Sequence, residues 1–269
     1  ANCHAKSVTQ LMHGDSALTT DPDVRSYQPT TQLLAGRSIL VTGASGGLGG
    51  ALAQSCAALG ASVILTGRNV KKLEGVYDAI VARGGPRPSI APLDLERADA
   101  SHYGSLADAV RNEFGRLDGL VHAAAALGER APIEHYDVVT WLKVMHVNVN
   151  AAFILTQQLL PLLRSSPDAS VVFTTSGVSV RARAYWGAYA ASKFAVEGLM
   201  QVLADETDTT THIRANSVNP GKIRTPMRAK AYPGETPDAL PLPQDVLGPF
   251  LYLLGPDSRG VSGRRFDAQ

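Results

Sequence analysis

Ser38-Ile39-Leu40-Val41-Thr42-Gly43-Ala44-Ser45-Gly46-Gly47-Leu48-Gly49 is the stretch that decides the fold. A short β-branched run meets a cluster of glycines, and an Ala/Leu-rich pattern, Ala51-Leu52-Ala53-Gln54-Ser55-Cys56-Ala57-Ala58-Leu59, follows at once. That order predicts a strand, a tight turn and a helix. Gly43 permits the turn, Gly47 lets main chain approach a pyrophosphate, and Gly49 allows close packing of helix on strand. The helix N-terminus favours a phosphate group. Gly43, Ser45, Gly47, Leu48 and Gly49 are therefore candidate contacts for a dinucleotide. Their spacing, Gly-x-x-x-Gly-x-Gly, differs from the Gly-x-Gly-x-x-Gly of many nucleotide-binding turns.

Outward from this turn the pattern repeats. Strands are predicted at Ser38–Thr42, Ser62–Thr66, Ser89–Leu93, Gly119–Ala123, Ser170–Thr174, Ile213–Val218 and Arg264–Asp267, with helices starting near Gly47, Asn69, Ala98, Tyr136, Gly187 and Gln244. Alternating strands and helices predict an α/β chain: a single-domain, doubly wound Rossmann fold around a mostly parallel sheet of seven strands. Residues 1–31 read as an N-terminal extension and 32–269 as the domain. Within it, Lys222 to Pro243 contains five prolines, which forbid one continuous helix and suggest a lid at about 222–243.

Composition narrows the function. The 269 residues are 45% hydrophobic and 18% charged, enough for one large core. With 25 basic and 24 acidic residues the net charge is +1, which gives no electrostatic case for nucleic acid or an anionic membrane surface. No uninterrupted apolar stretch approaches the roughly 20 residues of a membrane span. Two cysteines, Cys3 and Cys56, make a disulfide framework implausible and point to a reducing compartment. The leading segment lacks the order of a secretory signal, so a cytoplasmic location is expected. Seven histidines and two cysteines show no ligand-spaced cluster, so no metal is expected.

The end of the second strand bears on which dinucleotide binds. A carboxylate there would bind the adenosine ribose hydroxyls, but Thr66-Gly67-Arg68-Asn69 offers one cation instead. Arg68 suits a 2′-phosphate, with the Ser45 hydroxyl adding a hydrogen bond. NADP(H) is thus favoured over NAD(H), which stays open. Asp94 and Leu95 follow the third strand, where they would face the adenine.

A reaction centre is suggested by Tyr189 and Lys193, four residues apart and so on one helix face, with Ser176 thirteen residues upstream of the tyrosine. The ammonium would favour the ionised phenol and draw its titration toward neutrality. Together with the glycine turn, these motifs resemble the short-chain dehydrogenase/reductase family over nearly all of the chain from Tyr27 onward. Tyr27-Gln28-Pro29, Met200 to Glu206 and Phe266-Asp267-Ala268-Gln269 are similar to a bacterial branch, the YciK-type oxidoreductases. The resemblance implies a catalytic set of Ser176, Tyr189, Lys193 and Asn148, the last lying in Val147-Asn148-Val149-Asn150. It also implies nucleotide contacts at Ala124, Lys193, Pro220, Gly221, Ile223 and Thr225.

By the same resemblance, a small-molecule carbonyl or alcohol would exchange hydride with the nicotinamide. Tyr189 would carry the proton, Ser176 would hold the substrate oxygen, Lys193 would bind the ribose hydroxyls and Asn148 would support a water chain. In that family the helices matching about Val138 to Leu163 and Gly187 to Thr207 pack across a two-fold axis, so the resemblance implies a homodimer or homotetramer; their apolar faces could instead be spent entirely on the core. Two departures stand out. His122-Ala123-Ala124-Ala125 replaces the family's Asn-Asn-Ala-Gly, which removes a brace at Ala123 and adds a methyl at Ala125. Gly46 stands where many NADP-dependent relatives carry Lys or Arg. Readings without catalysis, as a dinucleotide-binding sensor or an interaction protein, remain open on the residues alone.

Overall fold

The computed structural model describes residues 23–208 and 211–269. Seven parallel strands form one sheet: β1 Ser38–Thr42, β2 Ser62–Gly67, β3 Ser89–Pro92, β4 Gly119–His122, β5 Ala169–Thr174, β6 Ile213–Asn219 and β7 Arg265–Asp267. Their order in space is β3-β2-β1-β4-β5-β6-β7. The chain winds outward in one direction from β1 through β3, then returns to lay β4 on the other side of β1. The carboxyl ends of β1 and β4 therefore border the crevice where open α/β sheets bind ligands. Ile39, Leu40 and Val41 stand opposite Gly119, Leu120 and Val121 across that seam.

Each face of the sheet carries its own apolar layer, as a parallel sheet requires. One layer is built from Leu48 and Leu52 of α1 (Gly47–Ala58), Leu73 and Ile80 of α2 (Val70–Ala82) and Phe250 of α8 (Gly248–Leu254). The other joins Tyr103 and Leu106 of α3 (Ala100–Phe114), Leu155 and Leu159 of α5 (Ala151–Arg164) and Met200 and Leu203 of α6 (Gly187–Thr207).

Several expectations are adjusted. The helix expected from Val138 to Leu163 is α4 (Val138–Met145) and α5 joined by one π turn, His146–Asn150. In the proline-rich segment a short helix, α7 (Pro226–Ala231), does form. Pro226 sits at its start, where a missing N–H costs nothing, and Thr225 accepts from Arg228 N at 3.2 Å. The packed body also reaches back past residue 32. Val24 is buried, and the Tyr27 hydroxyl donates to Asp257 at 2.7 Å while its ring meets Tyr252 edge-on at 5.4 Å. The rest of the expected extension, 1–22 and with it Cys3, lies outside the described residues.

One further correction concerns Val138–Arg164. These 27 residues are long and apolar enough, by length and composition, to cross a membrane. Lys143, His146, Asn148 and Asn150 divide the run, so no uninterrupted apolar stretch marks it in the sequence. Its Leu155, Leu159 and Leu163 are fully buried on the sheet, while Val139, Leu142 and Phe153 are exposed.

Candidate active site

At the crevice, Gly43 takes φ 68°, and a Cβ on it would lie 2.9 Å from Ala124 Cα. Only glycine lets the β1 turn rest on the backbone that leaves β4. Gly49 meets the same limit from the helix side, since its Cβ would stand 2.5 Å from the Gly43 carbonyl oxygen. Gly46 and Gly47 are different. Both have positive φ, yet added Cβ atoms would meet nothing within 4 Å at Gly46 and only the Thr225 methyl, at 3.6 Å, at Gly47. The α1 N-terminus behind them has no side-chain cap. Open space in front of unsatisfied N–H groups fits a phosphate-bearing dinucleotide.

Around this cradle, Ser45 lies beside Gly67 at the end of β2. Arg68 is the next residue, with its side chain 72% exposed and Nη1 3.8 Å from Glu96 Oε2. Glu96 is held more closely by Lys143, at 2.8 Å, so the guanidinium keeps most of its donors for another acceptor. Asp94 accepts from Glu96 N at 3.1 Å, and Leu95 lines the cleft together with Thr42, Ala124, Asn148, Thr174 and Lys193. On the far side, Pro220 and Gly221 follow β6. Gln269 clamps this turn by donating to the carbonyls of Pro220 and Lys222 at 2.8 and 3.1 Å. Ile223 is buried and Thr225 caps α7.

The departure at Ala123 finds its compensation in Thr42. The Thr42 hydroxyl oxygen accepts from Ala123 N at 3.0 Å and Ala124 N at 3.1 Å, and donates to the Val121 carbonyl at 3.2 Å. One buried hydroxyl thus braces the end of β4, where the resemblance had implied a lost brace. The sequence signal was a hydroxyl in the last position of the strand, directly after the apolar run Ile39-Leu40-Val41. Thr42→Val should lower stability by about 1–3 kcal/mol, by leaving the Ala124 N–H unpaired, while Thr42→Ser should not. Thermal unfolding of the two variants checks this.

Ser176, Tyr189 and Lys193 converge at the carboxyl ends of the strands. Ser176 follows β5 and caps a 3-10 turn, Gly177–Ser179. Its hydroxyl is near enough to the Tyr189 phenol, in the first turn of α6, to favour the ionised form. Lys193, one turn on and 3% exposed, donates to the Thr174 carbonyl at 2.7 Å, and its Nζ lies 5.6 Å from the Tyr189 ring centre. The expected drop of the phenol toward neutrality does not appear. Burial pushes Tyr189 up to about 12, with the nearby Ser176 hydroxyl opposing it, while the ammonium donates to the Thr174 carbonyl. Burial also draws Lys193 down to about 8, opposed by Glu197. At neutral pH the site therefore presents a proton-bearing phenol.

Asn148 sits within the π turn, 4% exposed. Its Oδ1 accepts from Ala126 N at 2.7 Å, and its Nδ2 donates to the Ala126 carbonyl at 3.0 Å and to Ser192 Oγ at 2.9 Å. The side chain is spent on tying the β4 loop to the residue before Lys193. Ser192 was not singled out as a partner by sequence. His122 is neutral in its surroundings: burial and nearby Lys193 pull it down to about 3, it shares a 2.8 Å bond with Thr156 and it stacks on Phe173. Among the described residues no group of three or more His, Cys, Asp or Glu could hold a metal ion.

An apolar cluster covers the Tyr189 side: Leu127, Val178, Trp186, Met227 and Tyr232. Tyr185 stands outside it, exposed at φ 71°. The proline-rich segment is held by stacking that sequence did not reveal. Tyr232 lies between Arg228, 3.8 Å from its ring centre, and Arg130 at 4.9 Å, and Arg130 also stacks on Trp186 at 5.1 Å.

The arrangement matches known proteins. A family profile described as short chain dehydrogenase covers residues 37–236. The chain belongs to that family. This short-chain dehydrogenase is 49% identical over 243 residues to the oxidoreductase YciK of Escherichia coli K12, covering 90% of this chain and 96% of that one. It also superimposes on a short chain dehydrogenase from Pseudomonas syringae with a TM-score of 0.89 and 53% identity, covering 90% and 98% of the two chains. A third match, from Escherichia coli CFT073, was crystallised with NADPH; its TM-score is 0.87 at 48% identity, with 90% and 100% covered. The present short-chain dehydrogenase is accordingly an oxidoreductase.

Proposed function

We propose that this chain is an NADP(H)-dependent oxidoreductase that interconverts a small-molecule carbonyl and its alcohol, with Tyr189 as general acid and base. The observation that carries the reading is the Tyr189 phenol, set beside Ser176 and flanked by Lys193, which lines the cleft together with Thr42 and Ala124. Gly43 to Gly49 and the α1 N-terminus would hold the pyrophosphate, Arg68 and Ser45 a 2′-phosphate, Asp94 and Leu95 the adenine end. Ala124, Lys193 and the Pro220–Thr225 segment would hold the nicotinamide half. When bound, that cofactor supplies or accepts the hydride. The chain's own groups manage the proton and the charge.

In the reductive direction Tyr189 donates its proton to the carbonyl oxygen and Ser176 donates a hydrogen bond to the same atom as negative charge grows there. Lys193 offsets the charge left on the phenol. Asn148 keeps the Ala126 main chain and the Ser192 hydroxyl in register with these groups. Leu127, Trp186, Met227 and Tyr232 give the substrate an apolar wall and shield the site from water.

The nucleotide half of the reading is tested by calorimetric titration with NADPH and NADH. NADPH should bind more tightly, and Arg68→Ala should weaken it by about 10- to 100-fold through the loss of charge-assisted bonds to phosphate, while leaving NADH nearly unchanged. Equal binding of both nucleotides to the wild type would contradict this assignment.

For assembly we propose a homodimer or homotetramer. Leu142 and Phe153 on the α4–α5 run and Phe194 and Val202 on α6 expose apolar side chains that a second copy would cover. Light scattering should report a mass at least twice that of the 28.4 kDa chain, falling toward the monomer in Phe153→Glu. A cytoplasmic location agrees with the buried, unpaired Cys56 thiol, which burial pushes up to about 12.

A further inference from the structure

Glu197 is a carboxylate in an unexpected place. It lies one turn beyond Lys193 on α6, 8% exposed, between the apolar side chains of Val196 and Met200 on its own helix. A buried carboxylate is retained only when hydrogen bonds and opposite charge compensate its lost hydration. Here Ser217 Oγ of β6 donates to Oε2 at 2.7 Å, Ser179 Oγ approaches Oε1 at 3.0 Å, and Arg265 Nε of β7 stands 3.2 Å from Oε1.

Two features tie this cluster to the reaction centre. Ser179 closes the 3-10 turn that Ser176 opens, and its hydroxyl also lies 2.7 Å from the Ser176 carbonyl oxygen. Its single proton is shared between the backbone of Ser176 and Glu197. The second feature is charge. Arg265 is already paired with Asp267 at 2.9 Å, so Glu197, Arg265 and Asp267 together carry one excess negative charge. The cation that feels this charge is Lys193, four residues away on the same helix face, whose charged form Glu197 favours.

We propose that Glu197 is a positioning residue for proton transfer: its carboxylate anchors the turn that carries Ser176 and supplies the counter-charge for the ammonium of Lys193. The inference rests on the Ser176, Tyr189 and Lys193 reading of the site. Other groups facing Lys193 cannot substitute. Tyr189 keeps its proton in this pocket, His122 of β4 is neutral, β5 offers the Thr174 carbonyl, and Asn148 from the π turn is an amide. Glu197 is the carboxylate that opposes the effect of burial on Lys193.

The test reads the lysine without turnover. Protein labelled with carbon-13 at lysine Cε is titrated by NMR, and the Lys193 signal is assigned with Lys193→Arg. Glu197→Gln keeps the shape and removes the charge, so the Lys193 midpoint should fall by about one pH unit. Arg265→Gln leaves the Glu197 charge less compensated and should move the midpoint up. Opposite shifts from two neighbouring substitutions exclude a general loosening of the fold. The alkaline limb of kcat/KM for carbonyl reduction should move with each midpoint. An active enzyme whose Lys193 titrates alike in wild type and both variants would overturn the inference while sparing the proposed activity. Shifted midpoints in a protein inactive on every carbonyl tried would overturn the activity and sustain the charge coupling.

Discussion

Tyr189→Phe should bind NADPH as the wild type does and lose about 100- to 10,000-fold in kcat for carbonyl reduction. The substitution removes one oxygen and leaves the ring in its contacts with Trp186 and Lys193. The size follows from what a positioned general acid contributes. The affinity should hold because the glycine turn and Arg68 stand on other elements, β1–α1 and the end of β2. pH supplies a second signature. With Tyr189 pushed up to about 12, the proton needed for reduction is present throughout the neutral range. Alcohol oxidation needs the phenolate instead, so its rate should climb with pH until Lys193 loses its charge, near 8 in the free protein. Steady-state kinetics in both directions, from about pH 6 to about pH 10 and so across the Lys193 position, checks the sign. A flat oxidative profile would place the proton on some other group.

Gly49→Ala should cut NADPH affinity by about 10- to 100-fold without removing any group that touches the nucleotide. The added Cβ would stand 2.5 Å from the Gly43 oxygen and 3.1 Å from the Thr42 oxygen, both main-chain atoms of the turn itself. Neither can swing aside, so α1 must shift off the turn. Overpacking of this kind costs about 1–3 kcal/mol, and because it falls on the phosphate cradle it is expressed as lost binding. Gly46→Ala provides the contrast in space, since nothing lies within 4 Å of its added Cβ, although its φ of 149° still disfavours a side chain. Calorimetry on the two variants should rank Gly49→Ala as the more damaging. Wild-type affinity in Gly49→Ala would mean that the cradle does not depend on this packing.

What could be read in the sequence was what local pattern encodes. Most strands announce themselves as β-branched or apolar runs, and the glycines of 43–49 fall between a strand pattern and a helix pattern, where a strand, turn and helix would place them. Tyr189 and Lys193 share a face by helix geometry alone, so their proximity needed no tertiary information. The features that escaped depend on partners far away in the chain. Thr42 is an ordinary strand residue until β4 arrives beside it and offers Ala123 and Ala124 N–H groups, 81 and 82 positions away. The π turn at His146–Asn150 has no periodicity of its own and emerges where Asn148 bonds to both Ala126 and Ser192. The Arg130, Tyr232 and Trp186 stack joins three segments that show no common motif. The direction of the Tyr189 shift was misread for a related reason: spacing gives neighbours but not burial, and burial dominates here.

The most direct measurement follows deuterium. Purified protein is mixed with NADPH carrying deuterium at nicotinamide C4, separately for each stereoisomer, and with a panel of aldehydes and ketones, and the products are read by mass spectrometry. The account predicts an alcohol with one deuterium at the former carbonyl carbon, from one stereoisomer only, and its near-disappearance in Tyr189→Phe. Tight NADPH binding with no deuterated alcohol from any carbonyl would contradict the account and leave a nucleotide-binding protein without this chemistry.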